Sequence, residues 1–317
     1  MKKVILITGV AGMIGSNLLK TVINKKNIVI GIDNFTLGKK KNIKTFLKNK
    51  NFHFFNKNLD REIRSEKMNK LLKKNRLTEV WLLAANSDIK KGTLNSDVDL
   101  KNTFLTTYFS LHLVKKFLNK STKIIFSSTA AIYGNTNNKV IEENTPTKPI
   151  SNYGAMKLAS EAYISAFCEN FNVRAIIYRF PNVTGPNLTH GLLYDMKKKF
   201  LLKNNFLNVL GNGLQQKPYS YVSEIVNCMK FFKNKKFNKK VIYLNIGTND
   251  KGIKVKNIVD IIKSKFKSKK KVIYQKSKIG WVGDVPMYRY STRKINKLGY
   301  KFKFTSRDVI LKTVKNL

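Results

Sequence analysis

The segment that most narrows what this chain can become is Lys3–Gly15, KVILITGVAGMIG, where an apolar run leads straight into three glycines spaced GxxGxxG. An apolar run without alternation reads as a strand buried on both faces, the kind that parallel sheets contain. The glycines then fall where a helix must begin. Gly9 permits the sharp turn, Gly12 lets main-chain N–H groups approach a pyrophosphate at the helix N-terminus, and Gly15 lets helix and strand pack closely. A second strand, Asn27–Asp33 (NIVIGID), ends on an acid placed to accept hydrogen bonds from an adenosine ribose. A carboxylate there repels a 2′-phosphate, which favours NAD over NADP, although Lys39, Lys40 and Lys41 follow closely and blunt that repulsion.

The alternation continues. Strands are expected at Phe52–Asn58, Glu79–Leu83, Lys123–Ser127 and Arg174–Arg179, and helices at Met13–Asn24, Asp97–Asn119 and Asn152–Phe171. Strands alternating with helices build a parallel sheet covered on both faces, so residues 1–180 read as a Rossmann-type doubly wound α/β domain. After Arg179 the rhythm loosens, and Pro181, Gly185, Pro186, Gly191, Gly211 and Gly213 mark loops that a substrate could fill. Helices are expected at Ser223–Phe232 and Ile253–Lys265, and a strand at Val241–Ile246. The expected organisation is therefore a cofactor domain over 1–180, rejoined by 222–246, and a smaller, interleaved α+β substrate domain over 181–317.

Composition removes other classes. With 317 residues, 42% hydrophobic and 25% charged, the chain can bury a full core and is not disordered. Its 62 basic residues against 18 acidic ones give +44, but only 8 of the 62 are Arg. Readers of specific nucleic-acid sites favour clustered Arg, whereas Lys is sprinkled here along nearly every element. The charge reads as a solvated surface that attracts polyanions, a nucleotide diphosphate included, with no specific nucleic-acid partner. Cys168 and Cys228 cannot make a disulfide framework, and His53, His112 and His190 stand far apart without metal-ligand spacing. The run behind Lys2-Lys3 imitates a signal peptide, but its glycines interrupt it and no cleavage pattern follows. No apolar run reaches the length of a membrane span, and a cytoplasmic location is expected. The basic run within Lys263–Lys271 reads as a solvated helix end and turn.

Reaction chemistry enters at Tyr153-Gly154-Ala155-Met156-Lys157, which sets a phenol and an ammonium at i and i+4 on one helix face. An ammonium beside a phenol favours the phenolate, as does a positive nicotinamide ring nearby, so a lowered Tyr153 pKa and general-base work are expected. Thr129, just after the strand Lys123–Ser127, can steer the same substrate oxygen.

Taken together, GxxGxxG, Asp33, Leu83-Ala84-Ala85, the run Ser127–Gly134 (SSTAAIYG), Tyr153-x-x-x-Lys157 and the run Arg179–Gly185 (RFPNVTG) resemble the extended short-chain dehydrogenases/reductases. The similarity runs from Lys3 to about Tyr300 and is strongest to NAD-dependent nucleotide-sugar epimerases of the UDP-glucose (UDP-galactose) 4-epimerase type. The resemblance implies that Tyr153 removes the sugar O4 proton, Lys157 holds the nicotinamide ribose, and Thr129 positions O4. It implies cofactor contacts from Gly9, Gly12, Met13, Ile14, Gly15, Asp33, Asn34, Asn58, Leu59, Leu83, Ala84, Ala85, Asn102, Ser127 and Phe180, besides Tyr153 and Lys157. Substrate contacts are implied for Ser87, Thr129, Asn182, Lys217 and Tyr288.

Departures from the family pattern bear on substrate. Dehydratases of this type carry an Asp-Glu pair after the catalytic Thr, and here Ala130 and Ala131 stand there, leaving hydride chemistry at C4. Asn58 replaces an adenine-binding Asp. Lys217 stands where an Arg commonly grips the diphosphate, and Trp281-Val282 replaces a second Arg before Gly283-Asp284. Tyr288 matches a gate position whose bulk disfavours N-acetylated sugars. His190 and Asp195 are expected on the surface without ligand contact. Three readings stay open: a 4-epimerase for UDP-glucose/UDP-galactose serving surface polysaccharide synthesis, a 4-dehydrogenase or ketoreductase on a GDP- or dTDP-sugar, and a non-catalytic protein that senses NAD or binds polyanions. By analogy the chain is expected to form a homodimer through the two long helices.

Overall fold

A computed structural model describes residues 1–137 and 139–317. Its centre is a seven-stranded sheet ordered Val241–Asn245, Arg174–Phe180, Lys123–Thr129, Arg76–Leu82, Lys3–Thr8, Asn27–Asp33 and Phe52–Asn56. Every pairing in it is parallel. From the first strand the chain winds outward one way through two strands, then returns and winds the other way. The reversal lies between Lys3–Thr8 and Arg76–Leu82, and ligands of such sheets sit beyond the strand C-termini at that point. Thr8 faces Ile32 on one side and Leu82 on the other, so the glycine loop emerges directly at the reversal.

Leu18, Leu19 and Val22 of the helix Met13–Val22 share one core with Val222, Ile225, Val226 and Met229 of the helix Val222–Asn234. Met68, Leu72, Leu111, Val114, Ile164 and Phe167 make the core on the opposite face. Cys168 and Cys228 fall in these two separate cores, both buried with free thiols. A third core joins the helices Leu192–Leu201, Val255–Lys265 and Ser306–Lys315. Of these, the helix Leu192–Leu201 and Val255 face the space beyond the strand ends.

Several elements differ from their expected bounds for local reasons. The first helix stops at Val22 because the side chains of Asn24 and Asn27 both donate to the Val22 carbonyl. A helix at Glu66–Lys74, capped by Ser65 accepting from the Met68 N–H at 3.3 Å, was not expected. Ile253–Lys254 pairs as a short strand with Gln216–Lys217 before its helix begins at Val255. The expected helix Asp97–Asn119 is interrupted: α over Ser96–Asp99, π over Leu100–Leu105, then α over Thr106–Val114. Hydroxyls compete for its carbonyls there, with Thr106 and Thr107 bonding to the Thr103 oxygen at 2.8 and 3.2 Å. The Asn102 carbonyl is also taken from outside, by the Asn86 N–H at 2.8 Å. A π segment of this kind opens a helix by one residue, commonly beside a site.

Candidate active site

A single cleft of about 820 Å³ runs along the C-terminal ends of the strands and under the third core. At one end the glycine loop does what its spacing requires. Gly9 has φ +68°, and a Cβ on it would lie 2.8 Å from the Ala84 nitrogen. A Cβ on Gly15 would come within 2.2 Å of the Gly9 oxygen, so helix and turn touch main chain to main chain. Gly12 differs. Its added Cβ would meet only the Gly9 oxygen, at 3.3 Å, and would otherwise project into the cleft that Gly12 lines. No side chain caps this helix, and the N–H groups of Met13, Ile14 and Gly15 find no acceptor among the described residues. Main-chain donors and a helix N-terminus thus surround a space that only glycine leaves open, which fits a pyrophosphate.

Asp33 is buried beside this loop, accepting from the Ala11 N–H at 2.9 Å and the Phe35 N–H at 2.8 Å. Burial raises its pKa, and the two N–H bonds oppose the rise. Each carboxylate oxygen retains acceptor capacity toward the cleft, as a ribose diol would need. Asn34, Leu59, Leu83, Ala84, Ala85, Asn102, Ser127 and Phe180 line the same cleft. Asn58 does not line it: its side-chain oxygen accepts from Asn34 at 3.0 Å, while Lys57 and Leu59 on either side face the cavity. That bond takes one lone pair of the Asn58 oxygen and leaves its two N–H donors unused.

The middle of the cleft gathers Thr129, Tyr153 and Lys157. Ser151 caps the helix Asn152–Phe171, accepting from the Gly154 N–H at 3.1 Å, and so fixes where Tyr153 begins its first turn. Gly154 is needed because a Cβ there would sit 2.6 Å from the Ala131 oxygen. Lys157 is buried, donating to the Ser127 carbonyl at 2.6 Å, with its Nζ 4.6 Å above the Phe126 ring and 5.9 Å from the Tyr153 ring. Burial pushes the Lys157 ammonium down to about 7, and Glu161 one turn on pulls it partly back. Burial, with Asp99 adding to it, raises the Tyr153 phenol, while Thr129 lowers it. The protein groups by themselves therefore raise the phenol, because desolvation exceeds what Thr129 contributes, and the lowering expected from the sequence depends also on the positive nicotinamide ring.

Toward the other end, Ser87 is exposed at the cleft edge, and Asn182 lies 3.5 Å from the hydroxyl of buried Tyr288. Lys217 lines the cleft as well. It pairs with Asp284, which is 6% exposed, and its Nζ stands 5.2 Å over the Trp281 ring. Asp284 also accepts the Gly280 N–H at 3.0 Å, so one carboxylate holds both the lysine and the Trp281 loop. His190 and Asp195, expected away from ligands, both line the cleft with Asp88. Burial lowers the His190 pKa, and Asp88 and Asp195 pull it back up.

Sequence reasoning passed over Asn86, Asp99 and Gln215. Asn86 donates to Asp99 at 2.7 Å and to the Asp88 carbonyl at 3.0 Å, bracing the loop that carries Ser87. A signal existed for it in the Asn-x-Asp spacing after Ala85, a turn-forming pattern. Nothing in the sequence distinguished Asp99 from its exposed neighbour Asp97. Among the described residues no His, Cys, Asp or Glu cluster suits a metal ion, and no helix is long and apolar enough to cross a membrane.

The chain matches a family model described as GDP-mannose 4,6 dehydratase over residues 6–313. It is 29% identical over 315 residues to a Methanocaldococcus jannaschii protein provisionally described as a UDP-glucose 4-epimerase, covering 98% of this chain and 97% of that one. A human dTDP-D-glucose 4,6-dehydratase is 24% identical over 329 residues, covering 99% of this chain and 89% of the relative. The crystal structure of a Thermotoga maritima UDP-glucose 4-epimerase with UDP-glucose superposes with a TM-score of 0.83 at 26% identity, covering 99% and 97% of the two chains.

Proposed function

The chain belongs to the NAD-dependent epimerase/dehydratase family of extended short-chain dehydrogenases/reductases, and on that footing we propose that it is a nucleotide-sugar 4-epimerase acting on UDP-glucose and UDP-galactose. The observation that carries the reading is the pair Ala130-Ala131, which lines the cleft directly after Thr129. Elimination of water from a sugar needs an acid and a base at that point, and two methyl groups supply neither. What remains beside Thr129 is equipment for moving one proton at one oxygen.

In this reading residues 1–180, with 222–246, hold NAD, and residues 181–317 hold the nucleotide sugar. The main-chain donors at Met13–Gly15 take the pyrophosphate and Asp33 the adenosine ribose. NAD supplies reversible hydride acceptance at the sugar carbon when bound. Thr129 orients the reacting hydroxyl, Tyr153 takes its proton and later returns it, and Lys157 orders the site from the Ser127 carbonyl. With oxidised NAD in the cleft, the Tyr153 phenol would feel a positive ring beside it and be drawn back down. Asn182 and Tyr288 border the sugar, and buried Tyr288 favours the unsubstituted hexoses over their N-acetyl forms. The protein acts as a homodimer through the helix Asn152–Phe171 and the interrupted helix beside it. In support, an aromatic array of Phe104, Tyr108 and Tyr163 lies there with centroids 5.3 to 6.2 Å apart.

The test is incubation of the purified protein with UDP-glucose, UDP-galactose and their N-acetyl forms, following sugar configuration by NMR and reduced cofactor by absorbance. Interconversion of the two hexoses without net NADH is expected. A 4-keto-6-deoxy product would transfer the protein to the dehydratases, and NADH with a keto sugar would make it a dehydrogenase.

A further inference from the structure

The corner where the helices Leu192–Leu201 and Val255–Lys265 end gathers exposed apolar side chains among lysines. Leu201, Leu202, Phe206 and Ile273 are 62%, 58%, 53% and 42% exposed there. They form one corner because the strands Phe206–Val209 and Lys271–Tyr274 pair in parallel, and the Lys270 ammonium binds the Lys199 carbonyl and Asn204 across the turn. In that strand pair Leu207 and Val209 point inward to the third core, which turns Phe206 outward by the two-residue alternation. Residues 196–209 and 261–274 contain four and six lysines and no Asp or Glu. Lys203, Lys265, Lys267, Lys269 and Lys271 are exposed, and none pairs with a carboxylate among the described residues. The nearest acids along the two segments are Asp195 and Asp260, six and five residues before their helices end.

A lysine-rich surface alone is what this composition produces anywhere, and it would attract any polyanion. Large aliphatic side chains standing among the lysines are a different matter, since water penalises their exposure and a soluble surface gains nothing from them. Lysines ringed about protruding Leu, Leu, Phe and Ile match the two components of an interfacial lipid site: cations for anionic headgroups and apolar tips for the acyl boundary. Nucleic acid would use the lysines and leave the leucines in water. We propose that this corner docks the protein reversibly on anionic lipid bilayers, with the cleft mouth, where Lys198 and Lys199 lie, close to the membrane plane.

The experiment is flotation with vesicles of phosphatidylcholine alone and of phosphatidylcholine mixed equally with phosphatidylglycerol. It uses the full chain, a Leu201→Ser/Leu202→Ser/Phe206→Ser variant, a Lys203→Gln/Lys267→Gln/Lys269→Gln variant, and a remote control, Lys48→Gln/Lys50→Gln. Binding only to the anionic vesicles is expected, weakened about tenfold or more in both corner variants and unchanged in the control, with turnover equal in all four. Equal weakening in the control, or full binding by the serine variant, would overturn the proposal in favour of diffuse attraction by the +44 charge. Absence of binding by the unaltered chain would also overturn it, as would self-association that the serine variant abolishes.

Discussion

At the scale of single residues the glycine loop separates two jobs that look alike in the sequence. Gly15→Ala must push a Cβ against the Gly9 oxygen, at 2.2 Å as built, so main chain has to move. A loss of more than about 3 kcal/mol in urea unfolding is expected, together with loss of NAD binding. Gly12→Ala meets only one tight contact, 3.3 Å to the Gly9 oxygen, which a shift of a few tenths of an ångström relieves, and should leave unfolding within about 1 kcal/mol of the parent while weakening NAD at least about tenfold. Calorimetric titration with NAD checks both, and a Gly12→Ala protein that binds normally would remove the pyrophosphate from this loop. Lys157 makes a second residue-level prediction. Its folded pKa of about 7 lies below the ordinary 10.5, so between those values the unfolded chain binds more protons and stability rises with pH. The stability of the parent relative to Lys157→Met should therefore climb from pH 7 to pH 10 in denaturant titrations. A flat difference would mean that the ammonium keeps its ordinary affinity for protons. Residue identity here was legible, because the i, i+4 spacing places Tyr153 and Lys157 on one face whatever surrounds them. Their protonation was not, because burial is a property of neighbours distant in sequence.

At the scale of elements, the helix that carries Tyr153 is held at its far side by a buried ion pair. Arg179 from the strand Arg174–Phe180 grips Glu161 with two bonds of 3.0 and 2.7 Å and also donates to Tyr133 at 2.8 Å. Arg179→Met leaves Glu161 charged and 2% exposed, and a destabilisation of about 3–5 kcal/mol is expected. A loss below about 1 kcal/mol would show that this pair does not hold the helix. The π segment Leu100–Leu105 sets where Asn102 meets the cleft. Deleting Lys101 should restore α pitch and turn Asn102 away, weakening NAD about tenfold with the circular dichroism spectrum retained. Unchanged affinity would deny the π segment a role. Periodicity read the helix as continuous because the hydrophobic spacing tolerates one extra residue. What breaks it is a set of Thr hydroxyls and the Asn86 N–H, partners that spacing does not reveal.

For the whole molecule, the aromatic array of Phe104, Tyr108 and Tyr163, flanked by Leu100 and Phe171 at 40% and 43% exposed, predicts a sedimentation mass of two chains. Tyr108→Glu/Tyr163→Glu should sediment as one chain, and an unaltered protein already at one chain would sink the dimer. The architecture of the first half was readable because each buried strand is a short apolar run, and such runs alternating with helices admit one handed way of winding. In the second half the helix Val222–Asn234 and the strand Val241–Asn245, which rejoins the sheet, were readable for the same reason, whereas the remaining strands were not, since they are two to four residues long and pair with segments far along the chain.

By itself, then, the sequence determined the parallel sheet, the glycine loop at its reversal and the Tyr153/Lys157 face, all of which depend on spacing within a few residues. The tertiary structure decided which charges are free to act. Lys217 is engaged by Asp284, and Lys157 is pushed toward neutrality by the core around it. The physical reason is that hydrogen bonding and desolvation are set by whatever lies within a few ångströms, and folding draws those neighbours from anywhere in the chain.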